Sequence, residues 1–365
     1  MTSAGTNSSA KNVVLSLFIV AVLIVVATYF LVLLMGSLFI FFTQPGVTLI
    51  SQSRAFPVLL LFIFVGFYLP ANAGAAFAFV FTVFVLCFIA AWKWRESFHV
   101  VIAKSFSRPL RSMFNNFLFI MPLLSSMLLV AVTVIIYLQS FAGIPTGTVQ
   151  PEPGESAQEF FLLLAYAPIT EELGFRLVPI GIFTAILVLS ARMKTRVNGV
   201  KLFLVSFIYP EGAKRMAGLP NVTDQGFWHG ISRGEWVMIL IASSIFAYAH
   251  VASGIGWEIG KVSSVFVQAL FFGVVYIAYG FGAPILMHWF FNYYLYFFDP
   301  DVLSAWFPST APVLSTAELV ILTLGTGGWV VLVLTAVRRR RNRMKSKEVV
   351  PVPPAPPVEP ATLPS

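Results

Sequence analysis

Two adjacent carboxylates and a guanidinium, Glu171, Glu172 and Arg176, stand inside an apolar run that extends from Phe160 to Ser190. A charged side chain at the centre of a spanning helix costs about 2.5–3.5 kcal/mol on insertion scales, so such a trio is a functional hypothesis by default. Glu172 and Arg176 are four residues apart and can pair on one helix face. Glu171 lies about 100° round the helix from Glu172 and is left over. Two of the four histidines also fall inside apolar runs. His250 closes Phe246-Ala247-Tyr248-Ala249-His250, and His288 opens His288-Trp289-Phe290-Phe291-Asn292. Both pairs have i, i+4 spacing, so Phe246 shares a face with His250, and His288 with Asn292. An acid, two imidazoles and an amide on three helices can move protons, either to activate a water or to relay ions.

Plainer roles are available to each residue. Glu172 and Arg176 suit a structural ion pair that holds two helices together, whereas a Glu171 without a charged partner points to catalysis. Phe246 is read as packing or pocket lining. His99 and His229 lie in basic loops and are expected to be solvated. The cluster Trp289, Phe290, Phe291, Tyr293 and Tyr294 reads mostly as an interfacial belt and core packing, with a pocket side that could accept an apolar substrate chain. Lys261 is placed to pair with Glu258.

The elements that must position these groups follow from composition. With 365 residues, 58% of them apolar and 10% charged, and a mean hydropathy of +0.87, the chain has the signature of an all-α polytopic membrane protein. Its partner is the lipid bilayer. The net charge of +8 sits in a few loops and the C-terminal tail, which argues for membrane topology and against a nucleic-acid groove. A single cysteine, Cys87, excludes an intrachain disulfide and a cysteine-based metal cluster.

After a short polar N-terminus, residues 1–12, the run Val13–Phe42 is long enough for a first span. Phe56–Leu69 is shorter, closed by Pro70, and suits a re-entrant or interfacial piece; Gly74–Trp92 can cross. Further spans are expected at Phe117–Phe141, Phe160–Ser190, Trp236–Val251, Val262–Tyr279, Ile285–Phe298 and Ala317–Val337. Lys93–Asn116 is basic, as is 191–235 with Arg192, Lys194, Arg196, Lys201, Lys214, Arg215 and Arg233, and both are assigned to the cytoplasm. Within the second, Lys201–Tyr209 looks amphipathic and suits the interface. The acidic, Lys- and Arg-free loop Ala142–Glu159 is assigned to the exterior. The count is about eight spans with both termini cytoplasmic. Arg338–Arg343 forms a stop-transfer cluster, and 350–365 is a Pro-rich tail expected to be disordered. One conflict remains: His250 falls near the outer end of its span, while Glu171 lies deep in its own, which requires staggered helices or misplaced boundaries.

The order Glu-Glu-x-x-x-Arg, Phe-x-x-x-His, His-x-x-x-Asn, each in its own apolar run, resembles the CAAX prenyl endopeptidases and their bacterial and archaeal relatives, the CPBP or ABI intramembrane proteases. The matching residues are Glu171, Glu172 and Arg176, then Phe246 and His250, then His288 and Asn292. By eye the likeness covers 117–299, leaving 13–116 as an N-terminal membrane region, 300–337 as a final helix region and 338–365 as tail. Leu177 departs from the pattern, since many relatives carry Gly after the Arg. The resemblance implies hydrolysis of a peptide bond in a membrane-associated substrate, in eukaryotic members a prenylated one.

On that reading Glu171 is the base, His250 holds the water, His288 and Asn292 stabilise the oxyanion, and Glu172 with Arg176 supports Glu171. Glu171, His250 and His288 are equally the donor set of a catalytic zinc. The lack of a His-Glu-x-x-His pair favours the metal-free version. Two other classes use the same residues: a catalytically silent scaffold or immunity-type protein on this fold, and an ion- or proton-coupled transporter.

Overall fold

The computed structural model describes residues 3–149, 151, 153–191 and 197–348. The expected roles of Arg192, Lys194, Arg196 and the 350–365 tail lie outside the described residues. The order of elements begins with α1 (Ser3–Phe41), α2 (Gln44–Ile50), the strands β1 (Ser53–Leu61) and β2 (Val65–Asn72), and α3 (Ala73–Lys93). Short helices α4 (Phe98–Ala103) and α5 (Leu110–Met113) lead to α6 (Phe117–Phe141). Then come α7 (Ala157–Glu172), a π-helical turn at Leu173–Leu177, and α8 (Pro179–Ala191). A polar insertion holds α9 (Gly199–Ile208), α10 (Pro210–Met216), α11 (Val222–Gln225) and α12 (Phe227–Gly230). The chain continues through α13 (Arg233–Ala252), α14 (Lys261–Tyr279) and α15 (Gly282–Trp289), the last extended by a second π turn and a short 3-10 turn to Phe298. It closes with α16 (Pro300–Trp306) and α17 (Ala311–Glu348).

Among the described residues, 7 helices are long and apolar enough to cross a membrane: Asn12–Phe41, Ala73–Ala103, Phe117–Phe141, Ala157–Ala191, Arg233–Ala252, Lys261–Tyr279 and Pro308–Asn342. The expected eighth span is the run from Gly282 to Phe298, broken into three helical types and mostly buried. α1 begins at Ser3, so helix also covers most of the polar N-terminus. The expected Lys201–Tyr209 piece is helix α9, with Val200, Phe203, Leu204 and Ile208 exposed.

Helix starts follow local chemistry. Ser156 and Glu159 form a capping box at the head of α7, and Ser232 with Glu235 does the same for α13, so the backbone N–H groups that helices leave unpaired find acceptors. Asn116 is buried and accepts from Phe119 N at 3.0 Å, capping α6. Its amide nitrogen lies 2.7–3.3 Å from the carbonyls of Ala91, Trp92, Trp94 and Glu96, tying the end of α3 to the start of α6.

Phe56–Leu69 is neither a helix nor a loop. It forms most of an antiparallel hairpin, β1 on β2, with Pro57 opposite Tyr68 and Ala55 opposite Pro70. The Pro57 carbonyl and the Leu59 N–H both bond the hydroxyl of Thr170 in α7, so these residues turn their backbone away from β2. Pro57 therefore removes no rung from the ladder, and by alternation neither does Pro70. The hairpin runs beside α7 from an Arg54–Glu159 ion pair down to Phe62, whose N–H donates to Gly174 O at 2.9 Å. At 1.5 Å per residue, the path from Glu159 to Gly174 is about 22 Å, so the strands descend to the middle of the span. The expected re-entrant piece is thus built from strands.

Replacing Asn116 with Ala should destabilise the protein by about 1–3 kcal/mol, since four carbonyls lose a shared buried donor and α6 loses its cap. Thermal unfolding in detergent measures this. An unshifted midpoint would mean that the α3–α6 junction does not depend on this side chain.

Candidate active site

The first motif straddles the π turn. Glu171 and Glu172 end α7, and Arg176 lies in Leu173–Leu177, where Val178 N bonds Leu173 O at 3.1 Å, one residue beyond the α-helical partner. Arg176 still reaches back to Glu172, with Nη1 3.1 Å from Oε1, and both side chains are almost wholly buried. Its other terminal nitrogen donates to Ala269 O of α14 at 3.4 Å. The guanidinium carbon lies 4.5 Å from the ring centre of Phe246 on α13 and 5.5 Å from that of Phe272 on α14. One buried cation therefore contacts its own span and two others, and its charge is held by a carboxylate, a carbonyl and two π faces.

The second imidazole meets both acids. His288 Nδ1 is 2.9 Å from Glu172 Oε1, and its Nε2 is 3.6 Å from Glu171 Oε2. Glu171 is thus not left over: it faces the histidine, with a side chain 24% exposed where that of Glu172 is 0% exposed. Oε2 of each glutamate is buried without a hydrogen-bond partner, so the polar capacity of the site is not used up within the chain.

His250 sits in the last turn of α13. Its Nδ1 is 2.9 Å from Phe246 O, and since a carbonyl only accepts, Nδ1 carries the proton and Nε2 of the neutral ring keeps its lone pair. The Phe246 ring lies 4.7 Å from the His250 ring and 6.1 Å from that of His288. α13 ends at Ala252, within one residue of expectation, so the boundary is not the source of the depth conflict, and His250 is joined to His288 through the Phe246 ring.

Asn292 is the member that the structure does not bring in. It lies in the second π turn, Phe290–Tyr294, half-buried, and among the described residues its amide makes no hydrogen bond to His288 or to either glutamate. Trp289, Phe290, Tyr293 and Tyr294 are fully buried and pack in the core, so the core-packing half of their reading holds and the belt half does not. Lys261 does not pair with Glu258; its ammonium lies 3.6 Å from the ring centre of Trp257. His99 and His229 are exposed, as expected.

A metal can be tested against the donor positions. Among the described residues, no three His, Cys, Asp or Glu side chains are grouped so as to hold an ion. His288 Nδ1 is engaged by Glu172, and His250 approaches the others only across the Phe246 ring. The trio Glu171, His250 and His288 does not fit a preformed zinc site in this arrangement.

Residues that the sequence did not single out complete the site. Phe272 lies 5.4 Å from the His288 ring at 33°, a tilted stack that sets the plane of the imidazole. Phe175 packs on Phe246 at 4.8 Å, and Thr170 binds the hairpin. Only the position of Thr170 beside Glu171 and of Phe175 beside Arg176 could have marked them.

Residues 153–294 match the family model described as type II CAAX prenyl endopeptidase Rce1-like. This part of the chain is similar to that family. The Rce1-like stretch contains all three motifs and is narrower than the 117–299 read from the sequence. α1, the hairpin, α3 and α17 lie outside it. No curated protein and no solved structure matches the chain.

Substituting Arg176 with Met should cost about 3–5 kcal/mol, because it leaves the buried Glu172 charge short of its guanidinium partner. The thermal midpoint in detergent should fall sharply. If it held steady, the pair would not be what fixes this span.

Proposed function

We propose that the protein is an intramembrane endopeptidase of the CAAX type, hydrolysing a peptide bond of a membrane-associated, lipidated substrate with Glu171 as general base. The observation that carries this is the placement of His288, which faces Glu172 through Nδ1 and Glu171 through Nε2. The family match supports the protease class, and the remaining roles are part of this proposal.

A water beside Glu171 Oε2 would satisfy that oxygen's missing hydrogen bond and lie within reach of His288. His250, with Nδ1 held on Phe246 O, offers Nε2 as an acceptor that orients the same water. Glu171 takes one proton as the water oxygen bonds to the scissile carbonyl carbon. The carbonyl oxygen becomes an oxyanion, stabilised by Nε2–H of a His288 that also donates through Nδ1 to Glu172. Asn292 adds a second donor if substrate draws its free amide toward the oxyanion. When the tetrahedral centre collapses, the C–N bond breaks and Glu171 passes its proton to the leaving amine. A new acid and a new amine are the products. No step passes through a metal.

Reconstituted in liposomes with a quenched membrane peptide, the wild type should cleave, and Glu171→Gln should lower kcat about 10²- to 10⁴-fold, the span of general-base catalysis. A Glu171→Gln protein that cleaves normally removes Glu171 from the reaction. Exhaustive chelation should leave the rate intact; activity restored only by added zinc would replace this mechanism with a metal one.

A second measurement addresses the substrate. A lipid chain contributes about 0.8 kcal/mol per buried methylene, so stripping the lipid from the peptide should raise KM by orders of magnitude. Equal turnover of the bare peptide would point to a different client.

A further inference from the structure

The hairpin lies outside the Rce1-like stretch, yet it is bonded to the residues on either side of Glu171. Thr170 gives its hydroxyl proton to Pro57 O at 2.8 Å and accepts from Leu59 N at 2.9 Å. Four residues on, Gly174 O accepts from Phe62 N at 2.9 Å. Thr170 and Gly174 thus present one side of the motif helix to β1, and Glu171 stands between them.

The Gly174 bond answers a need created by the sequence. Inside a helix, the Gly174 carbonyl would be taken by the N–H of residue 178 or, in a π turn, of residue 179. Val178 N is committed to Leu173 O, and Pro179 has no N–H. In a span, water is not there to replace the lost donor, so the carbonyl must be satisfied by protein. Phe62 supplies it. Gly174 also has to be glycine, because a Cβ there would stand 2.7 Å from Leu59 Cβ.

Phe62 holds a backbone conformation that resists chance. Its φ is +52°, in the left-handed region, which is an outlier for a bulky side chain and persists only where the surroundings over-determine it. Here the bond to Gly174 and a buried ring hold it. The ring lies 5.8 Å from that of Phe175, which continues to Phe246 at 4.8 Å and on to His250 at 4.7 Å. The hairpin tip is thus joined by backbone to the turn that carries the acids and by rings to the first imidazole.

We infer that the hairpin Ser53–Asn72 is a positioning element for the hydrolysis: docked through Thr170, Gly174 and Phe62, it fixes the turn that aims Glu171. It touches no reacting atom itself. The inference rests on the proposed function and adds to it a part of the chain that the family match does not include.

The test uses the full chain in liposomes and separates kcat from KM. Thr170→Val removes the hydroxyl and keeps the shape; it should lower kcat as much as about a hundredfold while KM stays within about twofold, as expected when a reacting group is misaimed by a distant change. Thr170→Ser should recover most of the rate. Gly174→Ala, which pushes Leu59 away without touching Thr170, should repeat the loss. In both impaired variants the amides of residues 58–64 should exchange hydrogen faster than in the wild type. Tyr137→Ala, at an exposed position of α6, should change neither rate nor exchange.

Undiminished kcat in Thr170→Val overturns the inference, as does a rise in KM alone, which would make the hairpin only a wall for substrate. Loss that Thr170→Ser does not repair, with melting temperature falling in step, overturns it in favour of a purely structural strap. A wild type that cleaves nothing overturns the proposed function first and this inference with it, whereas an active wild type with an unaffected Thr170→Val overturns this inference alone.

Discussion

A single buried carboxylate oxygen, Glu172 Oε1, is the point on which the packing of the motif helices depends. It receives Arg176 Nη1 at 3.1 Å and His288 Nδ1 at 2.9 Å, and the side chain is fully buried. Removing a charge from water costs several kcal/mol per ion, which is recovered only if the partners are close and their remaining polar atoms are satisfied. That condition is restrictive. It fixes α15 against the end of α7 through His288, and through Arg176 it fixes α14 by Ala269 O and α13 by Phe246. In lipid, where apolar faces gain little by meeting one another, polar contacts of this kind decide which helix faces which.

The two π turns are the backbone counterpart of that cluster. Each lies within a motif, at Leu173–Leu177 and at Phe290–Tyr294, and each adds one residue to a turn. The first brings Gly174 to the strand side while Arg176 still points at Glu172. Its consequence is a displaced backbone carbonyl in a medium that cannot solvate it. The sequence compounds the problem with Pro179 and meets it with Phe62, from a segment more than a hundred residues away. A strand pair inside a helical membrane protein is unusual because its edges carry unpaired backbone groups. Here one edge is partly occupied by Thr170 and Gly174, so the hairpin satisfies groups on α7 as α7 satisfies groups on the hairpin.

What was legible in the sequence was chemistry with a short range. The Glu172–Arg176 pair follows from a spacing of four, and the inward faces of His250 and His288 follow from charge or polarity in apolar runs. The long spans follow from hydropathy. What was hidden depends on the third dimension or on one-residue changes of helical period. Phe56–Leu69 is apolar throughout, so periodicity could not separate strand from helix, and only its prolines hinted at an edge. The π turns leave no mark in composition. The aromatic run 289–294 suited a belt and core packing alike, because tryptophan and tyrosine are common in both; burial against Tyr29 and Phe88 of α1 and α3 makes it core.

Tertiary context separates two acids that the sequence presents as equals. Glu171 and Glu172 are neighbours of one type, yet Glu172 is closed in by a guanidinium and an imidazole, and its charge is already balanced by Arg176. Glu171 keeps partial exposure and a longer contact to His288. A group whose charge is compensated by close partners gains little by giving or taking a proton, since either change breaks bonds that repay its burial. A group with spare capacity beside a donor can exchange a proton at small cost to the fold. Structure and reactivity are therefore divided between adjacent residues: Glu172 is held so that His288 has one orientation, and that orientation gives Glu171 something to face.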